Sequence, residues 1–303
     1  MTTTVNATLP QDDTYVKMVE YATNLKLTDK QIQQKIEQLT REGKEIPDTL
    51  RVLQKGDIVL INGIEYVARE VTSENNGFQS IVFQPQNSIN GSSVLAIGGS
   101  YGITQFSHNP FEWIRDWVAN NLMIGLKKLP PQFTTALSTL DTYKSQYNIN
   151  SVAGYSLGAI LAGLIAKFNR HSDVNAYLYN GGLPTKLLDL LLSNYTNDIN
   201  LDSSNIITML AKAETLTDLI SIVQGNGIYE ADSNGTGHDI GLHEGLNANN
   251  YTQIINQSGS DIADSLNISI SPSANGGIQF KLNFSFSLSG ANKTKATDFV
   301  QNM

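Results

Sequence analysis

Residues 151–166 constrain the fold of this chain more than any other stretch. Ser151-Val152-Ala153 reads as the end of a short buried strand, and residues 159–166 read as a helix of small and branched apolar residues. Between them lies Gly154-Tyr155-Ser156-Leu157-Gly158, a G-x-S-x-G pattern. A serine on so tight a strand-to-helix turn is pushed out of the top of the sheet, and the crowding demands small residues on either side. The N–H of Leu157 then faces a carbonyl under attack, near the positive end of the helix.

The rest of the chain is read outward from that joint. Residues 14–42 carry helical spacing, with Thr28 as an N-cap for a helix from Asp29. A β-meander follows. Residues 57–61 and 64–68 form a hairpin around Asn62-Gly63, residues 78–83 make a third strand, and residues 93–97 make an unbroken apolar strand that suits a sheet centre. Residues 111–125 and 131–147 read as helices, 150–153 as the strand before the elbow, 175–179 and 205–210 as further strands, and 186–192 and 247–255 as helices. Strands alternating with helices give an α/β fold with a largely parallel sheet. The tail differs: Ile278, Phe280, Leu282, Phe284, Phe286 and Leu288 alternate with polar residues, the period of a strand with one apolar face. One domain is expected over 1–303: a helical N-terminal extension (1–55), a hydrolase core (56–260) and a C-terminal β extension (261–303).

A serine hydroxyl is a weak nucleophile at neutral pH and needs a base, which an acid must orient. The chain has 4 histidines. His108 precedes the serine in a polar loop, and His171 closes the elbow helix, where a cation suits the helix end. His238 and His243 remain, in a glycine-punctuated loop of the kind that carries a base into a cleft. The acid is expected after the strand at 205–210, where Glu214 and Asp218 both stand. The second oxyanion donor is expected after a central strand, where Gly98-Gly99-Ser100-Tyr101 lies.

Ala96-Ile97-Gly98-Gly99-Ser100, Asp116-Trp117-Val118-Ala119-Asn120 and Gly154-Tyr155-Ser156-Leu157-Gly158 follow one another in an order that resembles the class 3 (fungal-type) lipases. That family carries an R-G-T-type strand end, a D-W-x-x-N/D segment and G-H-S-L-G. The resemblance covers residues 93–245. It implies an α/β-hydrolase fold and carboxylester hydrolysis on acyl lipids, of lipase or phospholipase A type. Ser156 is the implied nucleophile, with the Leu157 N–H and Ser100 as oxyanion hole. The family's H-S-M/I-x-x-Y context matches best at His238, with His243 the alternate. Its D-x-V-x-x-L context fits both Asp218 and Glu214; residue type favours Asp218, with Glu214 the alternate. Tyr155 stands where the family has His, and Gly98 where it has Arg; the first 90 residues and residues 260–303 have no counterpart. A short-chain esterase and a non-catalytic binding protein on the same scaffold are the other readings.

Composition narrows the partners. The net charge is −8 with no basic patch, so nucleic acid is not an expected partner. There is no cysteine, which excludes disulfides, thiolate metal sites and a cysteine nucleophile. Neither a metal set nor a cofactor motif is visible. No apolar run is long enough to span a bilayer, and Met1–Asp13 lacks the pattern of a signal peptide. The expectation is a soluble protein, cytoplasmic or exported by a leaderless route. Its substrate is an acyl lipid or ester, with membrane-surface contact through the aromatics of 101–121 (a candidate flap) or the apolar face of 278–288.

Overall fold

The computed structural model describes residues 7–87, 91–99, 131–181, 188–189, 192–193, 195–201, 204–211, 228–233, 240–255, 263–272 and 278–286. Nine strands lie side by side in sequence order in one sheet. β1 (Ile58–Ile61), β2 (Ile64–Ser73), β3 (Gln79–Pro85) and β4 (Ser93–Ile97) run antiparallel to one another. Asn62 and Gly63 both take left-handed φ, 49° and 80°, as a two-residue turn that follows the sheet's twist requires.

From β4 the sheet changes character. β5 (Ile149–Tyr155), β6 (Asn175–Tyr179), β7 (Ile206–Leu210) and β8 (Ile228–Ala231) are parallel to β4 and to each other. Every residue of β4 is buried, which suits a strand covered on both faces. The fold is α/β, with the parallel part confined to the sheet centre. β9 (Tyr251–Ile255) closes the sheet antiparallel to β8.

Two apolar layers cover the sheet. α3 (Pro131–Tyr147) and α4 (Leu157–Ala166) pack on one face, where Leu95, Ile97, Val152, Leu161, Ile165 and Leu178 form the core. α1 (Thr14–Asn24) packs on the other against β3, β4 and β5, with Val16, Val19, Phe83, Tyr155 and Tyr177 between them. α2 (Asp29–Arg41) buries no residue; Thr28 and Gln31 hold its start in a reciprocal capping box.

The helix expected over 247–255 is not formed. Asn247 does cap a helical start, but only one 3-10 turn follows (Ala248–Asn250) before the chain enters β9. Tyr251-Thr252-Gln253-Ile254-Ile255 is a β-forming run, and β8 offers it a free edge. β8 itself was not anticipated. At the C-terminus, β10 (Ala263–Pro272) and β11 (Ile278–Phe286) form a separate two-stranded sheet in which Leu266 faces Phe284, Ile268 faces Leu282 and Ile270 faces Phe280. Only the second of these strands was legible in advance. The expected helix at 111–125 and most of that at 186–192 lie outside the described residues.

Candidate active site

β5 ends at Tyr155, and α4 begins at Leu157. Ser156 alone makes the turn, with φ 54° and ψ −118°, a conformation in which a side chain is strained. The turn is held from both sides. The Ser156 N–H donates to the carbonyl of Tyr179 at the end of β6 (3.0 Å), and the Ser156 carbonyl accepts from Ala159 and Ile160 to start the helix.

Both glycines of the motif are dictated by this crossing. A Cβ on Gly154 would overlap the Gly158 carbonyl, and one on Gly158 would overlap the backbone oxygens of Ile97 and Gly98. The elbow is therefore pressed against the end of β4 as well as β6. Leu157, first residue of α4, has no intrahelical acceptor for its N–H. That donor is available to an oxyanion.

The end of β4 is tied equally tightly. Gly98 N–H donates to the Gln79 carbonyl (3.0 Å), and Gly99 N–H to the Thr23 hydroxyl (3.1 Å). A Cβ on Gly98 would sit 2.8 Å from the Ala22 carbonyl oxygen. Ser100, the next residue, lies outside the described residues, as do Glu214, Asp218, His238 and the candidate flap at 101–121.

Two histidines are described near strand ends, and neither environment is that of a solvent-facing loop residue. His243 is fully buried, its ring against Tyr179 and stacked 6.0 Å from Tyr251. Its Nε2 lies 3.2 Å from Asn180 Oδ1, and its Nδ1 3.1 Å from the Tyr251 hydroxyl. Asn180 Oδ1 also accepts from the Ala211 N–H, which fixes that atom as the oxygen. His243 must then donate through Nε2 and accept at Nδ1 from Tyr251. Burial raises the Tyr251 pKa, so the phenol keeps the proton it donates.

Asn180, at φ 47°, thus joins the ends of β6 and β7 to the segment 240–245. Its Nδ2 is buried and has no partner among the described residues. A donor is left over where the chain enters 212–227, the segment of Glu214 and Asp218. Segment 240–245 is held a second time by Asp13, whose carboxylate accepts from Gly245 N–H (2.7 Å) and Asn62 Nδ2 (2.7 Å), with Lys17 Nζ at 3.3 Å. Burial alone would raise the Asp13 pKa; the Gly245 and Asn62 hydrogen bonds and the Lys17 charge outweigh it and hold the carboxyl below its usual range.

His171 sits at the opposite end of the sheet, just before β6 begins, whereas Ser156 follows the end of β5. It is buried, with Nε2 2.9 Å from Asp141 Oδ1. Burial and then Lys144 lower its pKa, against the pull of Asp141. The cation or cap expected at the end of the elbow helix is not what His171 supplies: that helix ends at Ala166, His171 lies in a separate 3-10 turn (Asn169–His171), and desolvation outweighs the carboxylate in lowering its pKa. Thr23, Asp13, Asn180 and Tyr251 were not singled out from sequence. Only Asn180, standing before Gly181-Gly182 at a strand end, carried a local signal.

Among the described residues no group of three acidic or imidazole side chains could hold a metal, and no helix is long and apolar enough to cross a membrane. A strained serine between the end of a central parallel strand and a buried helix is the arrangement a nucleophile elbow takes, and this chain builds it on an α/β sheet. No family model and no curated protein matches the sequence. Among solved structures, it is similar to a mono- and diacylglycerol lipase from Aspergillus oryzae, at 17% identity over 81% of this chain and 85% of that one, with a TM-score of 0.42. It is also similar to a fungal lipase, at 14% identity over 82% and 89%, with a TM-score of 0.38.

Proposed function

We propose that this chain is a serine carboxylester hydrolase acting on acyl lipids. The observation that carries the reading is the backbone of Ser156: a left-handed φ at a non-glycine residue, buried between strand ends that leave no room for a side chain at Gly154 or Gly158, suits a nucleophile at a helix N-terminus. Ser156 Oγ attacks the ester carbonyl while a histidine takes its proton. The oxyanion is held by the Leu157 N–H and a donor at Ser100. Collapse of the tetrahedral adduct expels the alcohol, which receives that proton, and water then hydrolyses the acyl-enzyme by the same route.

We assign the base to His238 rather than His243, because both ring nitrogens of His243 are engaged by Asn180 and Tyr251. Asp218 is the proposed acid and Glu214 the alternate. The whole chain is proposed as one domain. A fluorophosphonate probe should label the protein at Ser156, located by peptide mass spectrometry, and a p-nitrophenyl ester should be turned over by the wild type and not by Ser156→Ala. A wild type that neither labels nor turns over would leave a binding protein on a hydrolase scaffold.

Lipid rather than a short soluble ester is favoured by the C-terminal ribbon. The register of β10 on β11 gathers Leu266, Ile268, Ile270, Phe280, Leu282 and Phe284 on one face and Asn267, Ser269, Lys281 and Asn283 on the other. In this proposal the apolar face meets the acyl surface, which would remove it from water. Turnover should rise as the substrate passes its critical micelle concentration. A smooth saturating curve on short esters would instead favour an esterase.

A further inference from the structure

We propose that α1 is a two-ended brace for the catalytic centre: Thr23 in its last turn positions the strand end that leads to the oxyanion donor, and Asp13 at its start positions the segment that follows the base. The proposal rests on the hydrolase reading above. It assigns positioning roles to two residues that lie far from the elbow in sequence.

At the C-terminal end of α1 the contact is backbone on backbone. Gly98 is bare because the Ala22 carbonyl occupies the place of a Cβ. Beside it the buried Thr23 hydroxyl donates to the Val19 carbonyl (2.8 Å) and accepts from Gly99 N–H (3.1 Å). Its one proton is committed to Val19, so its lone pairs are left for Gly99. Gly99 is the last described residue before Ser100, and the Gly98 carbonyl is also what excludes a side chain at Gly158 of the elbow. Thr23 thus fixes the peptide that sets where the second oxyanion donor starts.

The N-terminal end shows a division of labour. Asp13 holds the N-cap position, where an aspartate ordinarily accepts from the first turn, yet it makes no such bond. Asp12 takes that duty instead, accepting from Thr14 N–H (2.9 Å). The Asp13 carboxylate is spent on Gly245, at φ 68°, and on Asn62. Segment 240–245 is therefore pinned at Gly245 by Asp13 and at His243 by Asn180 and Tyr251, and it is the chain continuation of His238. One rigid helix turns these two attachments into a fixed relation between the oxyanion side and the base side of the site.

The test uses the full-length chain and p-nitrophenyl butyrate. Thr23→Val keeps the shape and removes the acceptor; Thr23→Ser keeps the acceptor. An oxyanion donor acts in the transition state and is worth about 100- to 1,000-fold in kcat, so its displacement should cost Thr23→Val about 10-fold or more in kcat with KM unchanged. Thr23→Ser should restore the rate. Gly99 amide hydrogen exchange should quicken in Thr23→Val and not in Thr23→Ser. Asp13→Ala should quicken exchange at Gly245 and lower kcat through the base. Wild-type kcat in a folded Thr23→Val, or unchanged exchange at Gly99, would overturn the brace while leaving the hydrolase intact. If Thr23→Val does not fold, unchanged Gly245 exchange and kcat in Asp13→Ala overturn it. A wild type without Ser156-dependent turnover overturns both.

Discussion

The two faces of the central sheet are built from the same strands but different chemistry. On the α3/α4 face the apolar core is aliphatic and phenylalanine (Leu95, Val152, Leu161, Ile165 and Leu178, with Phe133 and Phe168), and the buried polar groups Lys167, His171 and Asn205 lie at its edge, away from Ser156. On the α1 face tyrosines recur, at 21, 66, 155, 177 and 179, with Tyr15, Tyr229 and Tyr251 packed around them. β6 displays the split within one strand, with Ala176 and Leu178 facing one way and Tyr177 and Tyr179 the other. Apolar packing is non-directional, so the first face supplies stability without dictating position. Tyrosines bury as much surface and keep a hydroxyl that must find a partner. The second face is accordingly where buried hydrogen bonds reach the site: Thr23 to Gly99, Tyr251 to His243, Asp13 to Gly245. One layer holds the sheet together, and the other ties Gly99 and the segment 240–245 to it.

The joint between the two layers should show the largest effect. Ser156→Ala is expected to cut ester turnover by about a million-fold, as loss of a serine nucleophile does, with little change in melting temperature. Ser156→Gly should be equally inactive but more stable than the wild type, because glycine relieves φ 54°. A glycine variant less stable than the wild type would show that the turn is not strained.

On the aliphatic face, Leu161→Ala should cost about 2–5 kcal/mol in urea unfolding and leave kcat per labelled Ser156 unchanged. On the tyrosine face, His243→Phe should cost about 1–3 kcal/mol, because Tyr251 and Asn180 each lose a buried partner, while kcat falls. The comparison breaks if Leu161→Ala depresses kcat as much as His243→Phe does.

Acid should reach the two faces in turn. The His171 pKa is lowered from 6.5 by burial, so its contribution is whole above pH 6.5. It is lost as the pH falls from there toward the folded value, since the unfolded chain takes up the proton first. Asp13 is lowered from 3.8, so its contribution is whole above that value and is lost only as the pH falls through its folded pKa. Unfolding free energy measured from pH 7.5 down to about pH 2 should therefore fall first by a component that His171→Gln removes. A component that Asp13→Asn removes should follow at the acid end. Loss of both in a single step would sink the assignment. The smallest effect is expected where neither face is involved: Thr28→Ala in the exposed helix α2 should cost about 1 kcal/mol at most, read as faster exchange of the first-turn amides.

Much of the α/β framework was legible in the sequence because its signals are local. The crowding of G-x-S-x-G, the left-handed pair Asn62-Gly63, the Thr28 capping box and the period of 278–286 all arise between residues a few positions apart. The strand at 93–97 and the helix at 131–147 carry their own burial pattern and appear with those bounds. The base and acid choices, His238 over His243 and Asp218 over Glu214, came from resemblance and remain proposals.

Where the sequence reading failed, the missing information lay elsewhere in the chain. Residues 251–255 have no shape of their own until β8 offers an edge, and of the helix expected over 247–255 only one turn is formed. The site's scaffold is more distant still. Gly99 meets Thr23 across 76 positions, His243 meets Asn180 across 63, and Gly245 meets Asp13 across 232. The G-x-S-x-G turn carries its glycines and serine within five residues, so sequence alone showed where the strand-to-helix elbow stands. A buried hydrogen bond needs two groups brought together by a whole sheet. Only the tertiary structure could decide that an N-terminal helix is hydrogen-bonded to Gly99 at one end and to Gly245 at the other.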